Sequence, residues 1–119
     1  MVKELFESAL KESTSDEYLK TCEWIQSNLS PRETILNNAW SSYGLKHAME
    51  HDIGLYVTNN VFKMAMIEAG YNYKKECNCH DIEDSSCNLH FNISKKSPGL
   101  KRLYPHGVLI HENCKNYKV

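Results

Sequence analysis

The sequence predicts an α+β fold: N-terminal helices, then a helix-turn-helix pair and a β-hairpin closed by a structural zinc. Three observations predict it. Apolar residues recur at helical spacing through residue 69, and hydroxyl residues precede each helical run as caps. Beyond Gly70 the period of alternation falls to two. Cys77, Cys79 and Cys87 crowd the turn between the two alternating stretches.

The elements follow in order. Residues 3–12 read as a short helix with Leu5, Phe6, Ala9 and Leu10 on one side. Thr14-x-x-Glu17 is a capping box, and Asp16 and Glu17 suit the positive end of a helix. In that second helix Tyr18, Cys22, Ile25 and Leu29 fall at i, i+4, i+7 and i+11. They form one narrow stripe, which places Cys22 in the core and turns Trp24 away from it. Ser30, Pro31 and Glu33 read as the N-cap, first position and capping box of a third helix carrying Ile35, Leu36, Ala39 and Trp40. Ser41 or Ser42 caps the next helix, which runs through Tyr43, Leu45, Ala48 and Met49 to Gly54. Thr58 caps the last, with Phe62, Ala65, Met66 and Ala69 apolar and Gly70 as its stop.

Tyr71, Tyr73, Lys75 and Cys77 then alternate with polar neighbours, as do Cys87, Leu89, Phe91 and Ile93. The two strands are joined by residues 78–86. Helices followed by a hairpin is the order of a winged helix-turn-helix unit. Residues 43–53 are its first helix, 59–69 its recognition helix and 71–94 its wing. Val108-Leu109-Ile110 adds an edge strand in the tail. The whole, 1–119, reads as one domain: N-terminal helices over 1–40, helix-turn-helix plus hairpin over 41–97, and a basic tail over 98–119.

Composition narrows the function classes. At 119 residues, 41% hydrophobic and 24% charged, the chain has enough material for one core without metal or disulfides. No apolar run approaches the ~18–20 residues of a membrane span. The first residues carry no apolar leader core, so the expected compartment is a reducing cytoplasm. Net charge is -1, which argues against DNA wrapping and against an acidic DNA mimic. That figure hides an asymmetry: residues 1–58 hold 5 basic and 9 acidic groups, residues 59–119 hold 9 and 6.

In a reducing compartment, an odd count of 5 cysteines beside 6 histidines points to metal rather than to a disulfide framework. Cys77 and Cys87 have the same parity on their strands and face each other across the ladder. Cys79 and His80 fold over between them. Tetrahedral zinc takes four such donors, here Cys77, Cys79, Cys87 and a fourth that is His80 or Cys114. His90 has the opposite strand parity, and it and His111 rank behind. Four available donors close the site, so the zinc is structural and not catalytic. A metalloenzyme is not expected, since no general base is placed beside an open metal position. Phosphate-binding and dinucleotide-binding glycine patterns are absent, and His47 and His51 read as a surface pair. For nucleic acid, Asn59, Asn60 and Lys63 on the recognition helix and Lys74 and Lys75 on the wing are the candidate contacts.

The stretches Ser42-Tyr43-Gly44-Leu45-Lys46-His47, Gly54-Leu55-Tyr56-Val57-Thr58-Asn59, Ala69-Gly70-Tyr71 and Phe91-Asn92-Ile93-Ser94-Lys95-Lys96 resemble small phage and mobile-element proteins of Gram-positive bacteria. The resemblance covers residues 40–97. The Cys77–Cys87 insert departs from that family's short loop. A small mobile-element protein with a metal-stapled hairpin looks like a type II-A anti-CRISPR protein. That resemblance implies a non-enzymatic inhibitor that binds Cas9 and blocks its DNA loading or activity, and it would make the cytoplasm a bacterial host's. The acids Glu4, Glu7, Glu12, Asp16, Glu17 and Glu23 would orient it on a basic surface, with Trp24 or Tyr18 as anchor. Glu12, Asp16, Glu17 and Trp24 are the expected partner contacts. The alternative is a DNA-binding winged-helix regulator of a phage or mobile element.

Overall fold

The computed structural model describes residues 2–36, 40–78 and 80–104. In chain order these form α1 (Val2–Glu12), α2 (Ser15–Asn28), α3 (Ser42–Ile53), α4 (Asn59–Glu68), β1 (Tyr73–Lys75), β2 (Leu89–Phe91) and α5 (Pro98–Leu103). The domain is α+β, as expected. None of its described helices is long and apolar enough to cross a membrane.

The caps behave as local chemistry dictates. Thr14 Oγ1 accepts from the Glu17 N–H at 3.1 Å, and the Thr14 N–H donates to Glu17 Oε1 at 2.9 Å. These bonds satisfy donors that an uncapped helix start would leave open. Ser41 caps α3 through the Gly44 N–H at 3.1 Å, and Thr58 caps α4 through the Val61 N–H at 3.3 Å. The end of α3 is Gly54 at φ 71°, a left-handed conformation that a Cβ would strain.

β1 and β2 pair antiparallel with Tyr73 opposite Phe91, Lys74 opposite His90 and Lys75 opposite Leu89. The Glu76 N–H donates to the Asn88 carbonyl at 2.9 Å and carries the ladder one step further. Continued by one more residue, the register sets position 77 opposite position 87.

α4 is the hub. Eight of its ten residues, Asn59 through Met66, are buried. α1, α2 and α3 pack against it, contributing Leu5, Ala9, Ile25, Leu45, Ala48 and Met49 to the core. β2 adds Leu89 and Phe91. A helix that enters a DNA groove needs one face free, so α4 is not a recognition helix. The expected winged unit is therefore replaced by helices and a hairpin gathered round one central helix.

Three further expectations are corrected. No helix forms over 31–36. Pro31 bridges to Ile93, the Arg32 N–H donates to the Asn92 carbonyl at 2.8 Å, and the Ser94 N–H donates to the Ser30 carbonyl at 2.8 Å. The segment runs extended along the chain beyond β2 because these long-range backbone bonds outweigh the local capping pattern. Ser97-Pro98-Gly99 does not merely break a strand; it starts α5, with Pro at the first turn. α5 lies so close to α2 that a Cβ on Gly99 would stand 2.5 Å from Asn28 Cβ and 2.9 Å from its carbonyl oxygen. Trp24 points inward, not away: it is 4% exposed and tilts onto Phe62 with ring centroids 6.5 Å apart. The expected edge strand at 108–110 lies outside the described residues.

One polar knot ties α2, α3 and α5 together. Trp24 Nε1 donates to Asp52 Oδ2 at 2.8 Å, and Arg102 donates to both Asp52 oxygens at 2.7 and 2.9 Å. The Arg102 bond, then the Trp24 bond, hold the Asp52 carboxyl at about 2, down from 3.8. A carboxylate lowered in the fold stabilises above its unfolded pKa and loses that contribution as pH falls. Roughly 2 kcal/mol should disappear between about pH 4 and pH 2. Urea titrations of wild type and Asp52→Asn should differ at pH 6 and converge near pH 2. Parallel stability curves would refute the assignment.

Candidate functional site

The loop between the strands is organised by three polar side chains of α4. Lys63 is 0% exposed, and its ammonium donates to the carbonyls of Ile82 at 2.7 Å, Asp84 at 3.0 Å and Cys87 at 2.7 Å. Asn59 Nδ2 donates to Ser85 O at 3.0 Å and Asn88 Oδ1 at 2.9 Å. Asn60 Nδ2 donates to Glu83 O at 2.8 Å. Backbone turns add Asp84 N–H to Asp81 O at 3.0 Å and Cys87 N–H to Asp84 O at 2.9 Å. The loop thus wraps a cation with its carbonyls, and the cation is the protein's own. Burial pushes the Lys63 ammonium below its ordinary pKa, while the facing Cys87, Asp84, Glu12 and Glu83 push it back up.

This arrangement corrects the nucleic-acid reading at residue level. Asn59, Asn60 and Lys63 are buried and committed to the loop, so none can reach a base edge or a phosphate. Lys75 also turns inward, donating from Nζ to the His80 carbonyl at 3.0 Å. A signal for the burial was present: Val61, Phe62, Met64, Ala65 and Met66 cover more than one stripe of the helix, the mark of a buried helix.

The metal candidates divide. Cys77 is exposed and disulfide-bonded, its partner lying outside the described residues. Cys87 is a free thiol, 2% exposed and part of the core cluster. His80 Nδ1 lies 3.5 Å from Asp84 Oδ2, half-exposed. His90 sits on β2, opposite Lys74. Cys79, Cys114 and His111 lie outside the described residues. Among the described residues no three of His, Cys, Asp and Glu converge as a metal site would require.

The partner candidates also divide. Trp24 is buried and cannot anchor a partner. Glu17 closes the α2 cap, and Glu12 accepts a hydrogen bond from the Thr58 hydroxyl. Asp16 stays at the surface, 3.3 Å from Lys20. Around it the α1–α2 surface exposes Glu7 and Glu23. It also exposes Leu10 at 63% and Leu19 at 58%, with Phe6 beside them. Of the four apolar residues read on one side of this helix, Leu5 and Ala9 are buried, while Phe6 and Leu10 are exposed.

A second feature borders this face. Tyr18 donates from its hydroxyl to Glu68 Oε1. Burial and that carboxylate push the Tyr18 phenol up, and burial, then Glu68, push the neighbouring Cys22 thiol up. Cys22 is half-buried and held as a thiol, which makes it a poor nucleophile. On α3, Lys46 lies under two exposed tyrosines, 5.3 Å from the Tyr43 ring centroid and 4.5 Å from that of Tyr56. Burial lowers its pKa.

No family model, curated protein or solved structure matches the chain.

Proposed function

We propose that this chain is a non-enzymatic binding protein whose target is Cas9, and that it acts by blocking DNA loading or activity. The observation that carries the reading is the α1–α2 surface. It combines exposed Leu10 and Leu19 with the acids Glu7, Asp16 and Glu23. Acids set orientation and on-rate toward a basic nucleic-acid-binding surface, and apolar anchors supply affinity. The resemblance of residues 40–97 to small phage proteins points the same way. The reading as a DNA-binding regulator loses its recognition-helix contacts, since Asn59, Asn60 and Lys63 are buried, and keeps Lys74 on the hairpin.

A structural zinc is part of the proposal only for the reduced chain. Its ligands would be Cys77, Cys79 and Cys87 with His80 or Cys114. What supports it is the strand register at Lys75–Leu89, which, if continued two residues, would set position 77 opposite position 87. The loop does not depend on it for shape, because Lys63 already gathers three loop carbonyls.

The test is co-purification with Cas9 under reducing conditions, with and without guide RNA and chelator, together with a DNA-cleavage assay and zinc quantification. A stoichiometric complex and lost cleavage are expected. Absence of a complex in every arm removes Cas9 as the target. Much less than one equivalent of zinc on the reduced chain removes the metal.

A further inference from the structure

Two cavities lie along the outer side of α2. The first, about 490 Å³, is bounded by Phe6 and Leu10 of α1 and by Leu19 of α2. The second, about 520 Å³, continues past Ile25 and Leu29 to Ala69 and Tyr71. Both are lined by Cys22 and Glu68, so they are two halves of one groove with a carboxylate at its middle. No Lys, Arg or His is among the described residues lining either half. The groove follows α2 from Ser15 to Leu29, about 21 Å at ~1.5 Å per residue, the length of a four-turn helix.

The described lining is apolar along Phe6, Leu10, Ile25 and Leu29, with neutral polar groups at Ser13, Thr14, Ser15 and Gln26. Glu68 is its charged residue, so charge helps select the occupant. A second copy of this chain is a poor match, because a symmetric pairing would bring Glu68 against Glu68. A cation from the occupant, set between apolar anchors, would meet the Glu68 oxygen that Tyr18 leaves open. We propose that this groove docks a short amphipathic helix of a partner protein, with leucine-type anchors at i, i+3/i+4 and i+7 and a lysine or arginine among them. This deepens the reading of the chain as a binding protein and does not depend on the partner being Cas9. Leu10 and Leu19 wall the first half of the groove and receive the occupant's apolar anchors, and Glu68 fixes register.

The test uses the full chain, labelled with nitrogen-15, and two synthetic fourteen-residue helices of one amphipathic pattern. One pairs Leu with Lys, the other Leu with Glu. The Leu/Lys helix should move the amide signals of Phe6, Leu10, Leu19, Cys22 and Glu68, and the Leu/Glu helix should not bind. Leu10→Asp with Leu19→Asp should weaken binding at least tenfold, and Glu68→Gln at least threefold, with melting curves confirming that each variant folds. Signals moving elsewhere, equal binding of both helices, or an unchanged Glu68→Gln variant would overturn the proposal. So would a dimer in sedimentation that Leu10→Asp dissolves, which would give the groove to a second copy. Because no Cas9 is present, failure here is distinct from failure of the Cas9 capture.

Discussion

Lys63→Met is expected to cost about 3–5 kcal/mol of stability, near the largest effect a single surface-loop support can have. The methionine fills similar space but donates nothing. Three carbonyls, those of Ile82, Asp84 and Cys87, then lose a charged donor at 2.7–3.0 Å. Each buried acceptor left open costs about 1–3 kcal/mol, and part of that is offset because an ammonium no longer has to be desolvated. The loop 80–88 should open first. Urea denaturation gives the free energy, and amide exchange at Cys87 and Leu89 locates it. A loss under about 1 kcal/mol, with exchange unchanged, would show that Asn59, Asn60 and the turns hold the loop without the ammonium.

Trp24→Ala is expected to cost about 3–5 kcal/mol, the usual range for emptying a large buried aromatic site. Trp24 touches Phe62 in the central helix and donates to Asp52, so its loss opens the core and loosens the knot that holds α5. Trp24→Phe separates the two roles. It keeps most of the packing and removes one hydrogen bond to a charged group, for roughly 1.5–3 kcal/mol. Because the side chain is internal, Trp24→Phe should leave the affinity for any partner unchanged in the folded fraction. A selective loss of affinity with full stability would restore it as a surface anchor.

What could be read from the sequence was what is local. Thr14 with Glu17, Ser41, Thr58 and Gly54 fix their helix ends through bonds spanning three or four residues, and the structure repeats them. The paired residues, Tyr73 with Phe91 and Lys75 with Leu89, lie within the two stretches that alternate in the sequence. What could not be read depends on distant partners. Ser30 and Pro31 look like a helix start, but their backbone groups are claimed by Ile93 and Ser94, more than sixty residues on. Asn59, Asn60 and Lys63 look like groove readers because a polar residue is normally exposed. Their burial depends on carbonyls presented by a loop that comes twenty or more residues later. Glu68 is a like case: it meets Tyr18 of α2, fifty residues earlier in the chain, only because α2 packs on α4.

The docking of α5 through Gly99 also shapes how the molecule turns in solution. It places Arg102 beside Asn28, at the C-terminal end of α2, and the Ser30–Ser94 bond brings Lys95 and Lys96 to the same region. Asp16 and Glu17 occupy the opposite end of that helix. Opposite charges are thereby held about 20 Å apart on a rigid rod. A chain of net charge -1 thereby carries a separation of charge along α2. In the field of a charged macromolecule it feels a torque before it feels a pull, so it rotates into one orientation while still a Debye length away. Shortening that lever by undocking α5 would leave the net charge as it is and blur the angle of approach.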